Sequence, residues 1–343
     1  MVRWNKVFRE IWLNFGRSIL VIISITIGVA AIGVVLSTQT TLSSEIPARY
    51  EQINPASADL TISPFNDDLV RVIRKLPVVA AAESRRTITA RLMVGPNNWR
   101  AINLYVIPDF NNIQINKIVS TQGNWPPPDR EIIIERSSIT LTGAKTGDVV
   151  TIQTGNGIQR DMKITGLAYD MSQPSAALVD QINGYITFNT LEWLGYTKDY
   201  NELLIVTRSD ASDLAQIQKM AVEVRDRVEK SGYTVYWTTL TDPQQYWFQQ
   251  YLTPMTAILG ALGVLSLMLS CFLVVNTISA LLAQQIQQIG IMKAVGARRL
   301  QIIGIYFVMV LVFGLLALVL AIPLSKLGAN YSLQILSNLI NID

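Results

Sequence analysis

The chain has 343 residues, of which 50% are hydrophobic and 15% are charged, with a formal net charge of +3. Soluble domains carry about a quarter charged residues, so this composition points to a membrane protein, and basic residues bunched at the ends of apolar runs exclude a nucleic-acid footprint. Histidine is absent and Cys271 is the single cysteine, which rules out an intrachain disulfide and the usual Ser-His, Cys-His and histidine-zinc constellations.

In chain order, residues 1–17 form a basic amphipathic leader with Arg3, Lys6, Arg9 and Arg17. Ile19 to Leu36 then reaches the length of about 20 apolar residues needed to cross a bilayer core and exceeds a signal-peptide core of about 7 to 15; a first transmembrane helix is expected over 18–41. Two further runs of that kind follow, Met255 to Leu282 and Leu300 to Leu324, giving spans over 251–283 and 300–325. Between Pro243 and Ser325 the only charges are Lys293, Arg298 and Arg299. Lysine and arginine at span ends stay in the cytoplasm, so the charge clusters before the first span and after the second place the N-terminus inside and residues 42–250 outside. No ionisable residue lies within a span, which argues against a membrane-embedded proton or ion path.

Residues 42–250 read as one large or two small water-exposed domains. Strand-like runs fall at Asp59–Ile62, Thr87–Val94, Ala101–Ile107, Glu131–Ile134, Val149–Gln153, Met162–Leu167, Tyr185–Phe188 and Leu203–Val206. Helices are predicted at Asp67–Leu76 and at Ser212–Lys230, the latter N-capped by Ser212 and stopped at Gly232. The order implies a small α+β layer carrying a β-rich, barrel-like lobe. Thr154-Gly155-Asn156-Gly157 reads as a hairpin turn, and WPPPD at Trp125–Asp129 as an extended surface connector, or else a polyproline ligand for a partner. Glu131, Glu135, Asp148, Asp161 and Asp170 have no spacing that fixes two of them together and are expected on solvated edges. The chain contains no Walker A loop and no GxGxxG, and no catalytic or metal-ligating set is identified.

Small residues allow helices to approach closely in lipid. Ser24 with Gly28, and Ala257 with Ala261, are the expected packing pairs, with Ser266 and Ser270 a further pair on the second span. Beyond the third span the tail 326–343 carries Leu333, Leu336, Leu339 and Ile340 at helical spacing, as expected of a surface or partner helix too short to span.

Between the second and third spans stands QIGIMKAVGARR, Gln288 to Arg299. Ile286, Ile289 and Met292 recur every three residues as an apolar ridge on a short helix, Gly290 and Gly296 suit close contact and a turn, and three basic residues follow. As a bare pattern this is equally a basic loop that holds topology or a docking helix.

The segment Gln287 to Ala297, QQIGIMKAVGA, resembles the "REIGIRKALGA" motif of the membrane subunits of ABC transporters of the FtsX and MacB permease superfamily. GNWPPPDREIIIERSS, Gly123–Ser138, and TGDVVTIQTGNGIQRDMKITGLAYD, Thr146–Asp170, are similar to that family's periplasmic core domain. The resemblance implies an α-helical transmembrane protein with a large α+β extracytoplasmic domain of the MacB periplasmic core type, placed multi-pass in the bacterial inner membrane. It implies a coupling helix within 284–299, with Gln288, Ile289, Gly290, Met292, Lys293, Ala294, Gly296, Ala297 and Arg298 as the contact to a separate cytoplasmic ABC ATPase. ATP and Mg would bind in that partner, with no cofactor and no enzymatic activity in this chain. The further partners implied are a second copy or a paired permease half, and a periplasmic adaptor or hydrolase. Family members act in export and in lipoprotein, peptide or antibiotic handling; the alternative is a regulator of an extracytoplasmic cell-wall hydrolase without a transported substrate. The family often has Arg-Glu where this chain has Gln287-Gln288, which removes an ion pair at that contact. It also has a fourth span, so the chain is expected to be the N-terminal module of a larger permease. A sensor is disfavoured because the chain re-enters the membrane after about 18 residues, too few for a signalling domain.

Overall fold

Alternation of apolar and polar residues between Ala58 and Leu240 builds ten strands in one continuous sheet. They are β1 (Ala58–Phe65), β2 (Val79–Gly95), β3 (Asn98–Val106), β4 (Val119–Gly123), β5 (Glu131–Glu135), β6 (Val149–Thr154), β7 (Gln159–Tyr169), β8 (Ile182–Ile186), β9 (Tyr200–Thr207) and β10 (Val235–Leu240). The computed structural model describes residues 15–209, 213–241, 249–296 and 299–340. Two compact units divide the chain, Met1–Ser43 with Gln250–Ile335, and Ser44–Gln249 with Leu336–Asp343.

In the strand-bearing unit, β10, β1, β9 and the first half of β2 form an antiparallel layer. Helix α2 (Asp67–Ile73) and a longer helix at Leu214–Lys230 cover one face. Leu60, Ile62, Leu203 and Ile205 point to that face and are buried with Leu69, Ile73, Ile217, Val224 and Val228. The second half of β2 leaves the layer and enters a closed ring. It pairs with β3, β3 with β8, β8 with β5, β5 with β7, β7 with β6, and β6 again with β2. Closure removes the sheet edges, and Leu92, Ile102, Leu104, Ile132, Ile134, Ile152, Ile164, Ile182 and Ile186 fill the interior. Each such side chain is worth about 1.5 to 3 kcal/mol on burial. This is the α+β layer with a barrel-like lobe that the strand pattern implies, with β4 added alongside β7.

Two local expectations hold and two change. The Thr154–Gly157 hairpin joins β6 to β7, with Gly157 at φ +83° and its N–H donating to the Thr154 carbonyl at 2.9 Å. Asp213, not Ser212, caps the long helix: its Oδ1 accepts the N–H of Ala215 at 2.9 Å, and Ser212 lies outside the described residues. Tyr185–Phe188 is displaced, because the strand ends at Ile186 and Thr187 caps a helix over Phe188–Trp193. The WPPPD connector carries no strand, and its Trp125 Nε1 donates to the Phe110 carbonyl at 2.9 Å, packing edge-on against that ring.

The other unit contains long helices. In chain order the helices are α1 (Phe15–Gln52), α2 above, α3 (Ile139–Thr142), α4 (Ala176–Val179), α5 (Phe188–Trp193), α6 (Leu214–Lys230), α7 (Gln249–Gln284), α8 (Ile286–Ala294) and α9 (Arg299–Ile340). Among the described residues three stretches are long and apolar enough to cross a membrane, Ser18–Gln52, Thr256–Gln284 and Ile302–Ser337. Leu262, Leu265, Leu269 and Phe272 are exposed on α7, the pattern of a helix that is hydrophobic all round. The expected break between a third span ending at 325 and a separate tail from 326 is absent: α9 is continuous through Pro323 to Ile340. Arg3, Lys6 and Arg9 lie outside the described residues.

Candidate functional site

The segment with the basic motif is an elbow. α7 ends at Gln284, Gln285 leaves helical geometry at φ −98°, ψ 10°, and α8 runs from Ile286 to Ala294. Gly296 then turns the chain at φ +96°, a conformation that disfavours any side chain. Two contacts set how α8 lies. Tyr306 of α9 donates its hydroxyl proton to Gln285 Oε1 at 2.6 Å. Ile289 is half-buried against the cluster of Val21, Ile302, Tyr306, Met309 and Phe313.

Ile289 therefore faces the chain's own helices while Ile286 is exposed, so these two members of the expected ridge do not point one way. Ile286, Ile291 and Val295 are exposed, the last at 84%. Val295, the residue that caps α8, follows Ile291 by four positions, beside exposed Gly290, Lys293 and Ala294. A Cβ on Gly290 would meet nothing within 4 Å, so close packing within the chain does not explain that glycine. Gln288 and Met292 fall within α8, while Ala297 and Arg298 lie outside the described residues. Sequence reasoning missed Ile291 and Val295 because a three-residue period was read where the helical surface repeats at three and four.

Above this elbow α1 packs on both α7 and α9. Ser270 Oγ donates to the Ser24 carbonyl at 2.9 Å, and a Cβ on Gly28 would stand 2.5 Å from that hydroxyl. On the other side a Cβ on Gly328 would stand 2.6 Å from Val34 Cγ2. Thr26 Oγ1 donates to the carbonyls of Ile22 and Ala317, and Thr38 shares a 2.8 Å hydrogen bond with Ser332. Ser24 and Gly28 thus lie at a helix contact. Ala257 and Ala261 are exposed; close approach on α7 occurs instead at Gly263, next to Ile32, and at Ser270.

In the strand-bearing unit the segment leaving α1 is stitched to the sheet by a clasp. Glu83 and Arg85 on β2 stand 3.4 Å apart, with Arg85 only 3% exposed. Arg85 Nη2 donates to the carbonyls of Ile115 at 2.6 Å and Asn116 at 3.1 Å. Glu83 Oε2 accepts the N–H groups of Gln114 at 2.9 Å and Ile115 at 3.1 Å. The loop so anchored holds the exit of α1. The N–H groups of Asn116 and Lys117 donate to the carbonyls of Asn54 and Ile53, and Asn116 Oδ1 accepts from Ala56 N–H at 2.9 Å. Asn54 and Asn116 both sit in the left-handed region, at φ 51° and 48°, where asparagine is among the better-tolerated residues.

Among the carboxylates, Glu131, Asp148 and Asp161 are on solvent-accessible edges, but Glu135 and Asp170 are each 1% exposed. Burial is possible because each is hydrogen-bonded. Glu135 Oε2 accepts the N–H of Ser137 at 2.8 Å and that of Ser138 at 3.2 Å. Asp170 Oδ1 accepts from Ser172 N–H and hydroxyl, and Oδ2 from the Tyr185 hydroxyl at 2.9 Å. Burial pushes the Asp170 carboxyl above its ordinary value, against those hydrogen bonds and Arg85, which lower it. Tyr185, stacked on Tyr105, is raised well above the ordinary phenol value by the same burial and by Asp170. A serine two residues after each carboxylate was the available sequence signal.

Among the described residues, three long apolar helices and an intervening elbow helix are joined in sequence to a layered and barrelled α+β domain, the architecture of a membrane-anchored protein with a water-exposed domain. The comparisons specify it: residues 18–224 match the MacB-like periplasmic core domain, and residues 260–343 match the FtsX-like permease C-terminal family. The chain belongs to the FtsX/MacB-type ABC permeases. Solved structures similar to it include the extracellular domain of the noncanonic ABC-type transporter YknZ from Gram-positive bacteria, at 15% identity over 54% of this chain and 100% of that one, TM-score 0.36. Another is the periplasmic region of MacB from Actinobacillus actinomycetemcomitans, at 12% identity over 59% and 95%, TM-score 0.35. A permease domain from Porphyromonas gingivalis matches at 14% identity over 53% and 79%, TM-score 0.32.

Proposed function

We propose that this permease subunit transmits ATP-driven motion from a separate cytoplasmic ABC ATPase to its α+β domain, for export or for handling of a lipoprotein, peptide or antibiotic outside the membrane. The observation that carries the reading is α8: a nine-residue helix between two long apolar helices, tied inward through Gln285 and Ile289 and presenting Ile291 and Val295 outward. A partner groove that seats those two side chains can push on α8, and the Tyr306–Gln285 and Ile289 contacts pass the push to α9 and α1. ATP and Mg would be bound by the partner. The proposed setting is the bacterial inner membrane with the N-terminus and α8 in the cytoplasm, and the assembly a homodimer or a pair of permease halves. Use of the same motion to switch a cell-wall hydrolase remains the alternative task.

Co-purification with an ABC ATPase subunit tests this directly. Ile291→Asp and Val295→Asp are each expected to cut recovery of the complex by about tenfold or more, as burying an unpaired carboxylate at an interface core does. Recovery unchanged in both would overturn the docking role of α8. Orientation is read by thiol labelling in a Cys271→Ala background. Lys293→Cys should react only after the inner membrane is permeabilised, and Asn156→Cys without permeabilisation.

A further inference from the structure

One face of the sheet layer carries more acid than base. Leu60, Ala82 and Leu203 belong to the helix-covered core, so by alternation Asp59 on β1, Glu202 on β9, and Glu83 and Arg85 on β2 share the opposite face. Glu202 stands directly opposite Arg85, and Asp59, opposite Leu204, is diagonal to Glu202. The Asp59 and Glu202 carboxyls hydrogen-bond each other. We infer that this pair is a proton-operated latch: sharing one proton, it holds the segment that leaves α1 against the sheet, and on losing that proton it lets the segment open.

The hydrogen bond itself requires the proton, because an ionised carboxylate has none to donate. Donor placement says which partner carries it. Glu202 Oε2 accepts the Thr87 hydroxyl at 2.9 Å, which favours charge there, whereas Asp59 Oδ1 is shut off from solvent and has no donor among the described residues. The cation within reach is Arg85, and its guanidinium is committed to Glu83 and to the carbonyls of Ile115 and Asn116. The next cation along β2, Arg86, is paired with Asp199 at 2.7 Å. The remaining neighbours bring no positive charge: β10 sets Thr239 opposite Asp59, Tyr105 on β3 feels the charge of Glu202, and Asp170 draws on the same Arg85. Burial first, then the charge and hydrogen bond of Glu202, hold the Asp59 carboxyl well above its ordinary 3.8, against the pull of Arg85.

Position makes this proton matter to the α1 exit. Asp59 follows closely on Ala56 and Ser57, whose N–H groups donate to Asn116 Oδ1 at 2.9 Å and to the Ile205 carbonyl at 2.8 Å. Once Asp59 ionises, Asp59, Glu83 and Glu202 compete for one guanidinium, and like charges on neighbouring strands repel. Local opening relieves both by returning Asp59 to water. With the folded-state pKa raised, the hold is fully present below 3.8 and is lost as pH rises through the raised value. On the orientation proposed above, the pair senses the medium outside the membrane; that point rests on the orientation, and the latch itself does not.

The test uses the full chain in detergent micelles and amide exchange, corrected for intrinsic rates, over a pH series rising from 3.8. Protection at residues 53–57 and 112–117 should fall about tenfold for each unit by which the Asp59 pKa is raised, while the barrel strands keep theirs. Asp59→Asn, which stays neutral and still donates to Glu202, should make protection in those two segments independent of pH. Glu202→Gln leaves Asp59 buried but without its charged partner, so the fall should begin at lower pH. Asp170→Asn should leave the fall in these segments in place. Infrared difference spectra should show a protonated-carboxyl band that disappears over the same pH range and is missing in Asp59→Asn. A wild-type profile without the fall, its persistence in Asp59→Asn, its loss in Asp170→Asn, or a Glu202→Gln profile identical to wild type each overturns the latch. Loss of ATPase co-purification would remove the coupling reading and leave these outcomes unchanged.

Discussion

The two units of this chain are held by different physics. In the strand-bearing unit charged groups go inside with hydrogen-bond partners: Arg85, Glu135 and Asp170 are all nearly inaccessible and all hydrogen-bonded. In the helical unit charge is sparse, many apolar side chains remain exposed, and α1 contacts its neighbours through glycine, serine and threonine. A low-dielectric interior makes a satisfied network rigid and a half-satisfied one costly. Contacts between small residues in an apolar setting each contribute little, and so can be exchanged.

Removing the clasp should break that contrast most severely. Arg85→Leu strands Glu83 and the Ile115 and Asn116 carbonyls, and loss of one partner of a buried pair costs about 3 to 5 kcal/mol. Thermal unfolding of the purified chain should show the fall, and amide exchange should accelerate first in residues 112–117. Overfilling the helical seam should have a smaller effect. Gly328→Leu would drive a side chain into Val34 and cost about 1 to 3 kcal/mol, and exchange should rise in α1 and α9 while the barrel strands stay protected.

Asp213→Ala deletes a helix cap and should cost about 1 kcal/mol, visible as a lower midpoint in thermal unfolding with exchange gained in the first turn of α6. The gentlest expected change is a slope. Burial raises the folded-state pKa of Asp170 above its ordinary 3.8, so in the window from that value up to the raised one the folded chain binds more protons than the unfolded. Its contribution is fully present below the window and is lost as pH rises through it. Asp170→Asn should flatten that part of the decline in melting temperature as pH rises above 3.8; an unaltered slope would show that Asp170 titrates as an ordinary carboxyl in the fold.

Much of this organisation was legible in the residues. Period-two runs such as Leu60/Ile62 and Ile102/Leu104 show as strands because alternate side chains face one core. The long uncharged runs stand out as helices fit for lipid. β4, with the sequence VSTQG, gave no such signal, since its residues are exposed or half-buried and only pairing with β7 makes it a strand. Ala257 and Ala261 have the spacing of a packing seam, yet spacing does not say which side of a helix meets a neighbour. Ile289 was legible as apolar and not as inward-facing, because its direction depends on Tyr306 and Ile302 in a different helix.

Local sequence settles the properties that depend on composition: which stretches avoid water, where charge is tolerated, which runs alternate, and the family motif at the elbow. These depend on neighbours a few residues away. Tertiary contact puts β2 in both a layer and a barrel, sets Glu83 and Arg85 against the exit of α1, buries Asp170, and leaves Ile291 and Val295 exposed at the elbow. Each of those joins residues tens to hundreds of positions apart, and their energies come from desolvation and hydrogen-bond geometry that exist only once the chain has folded.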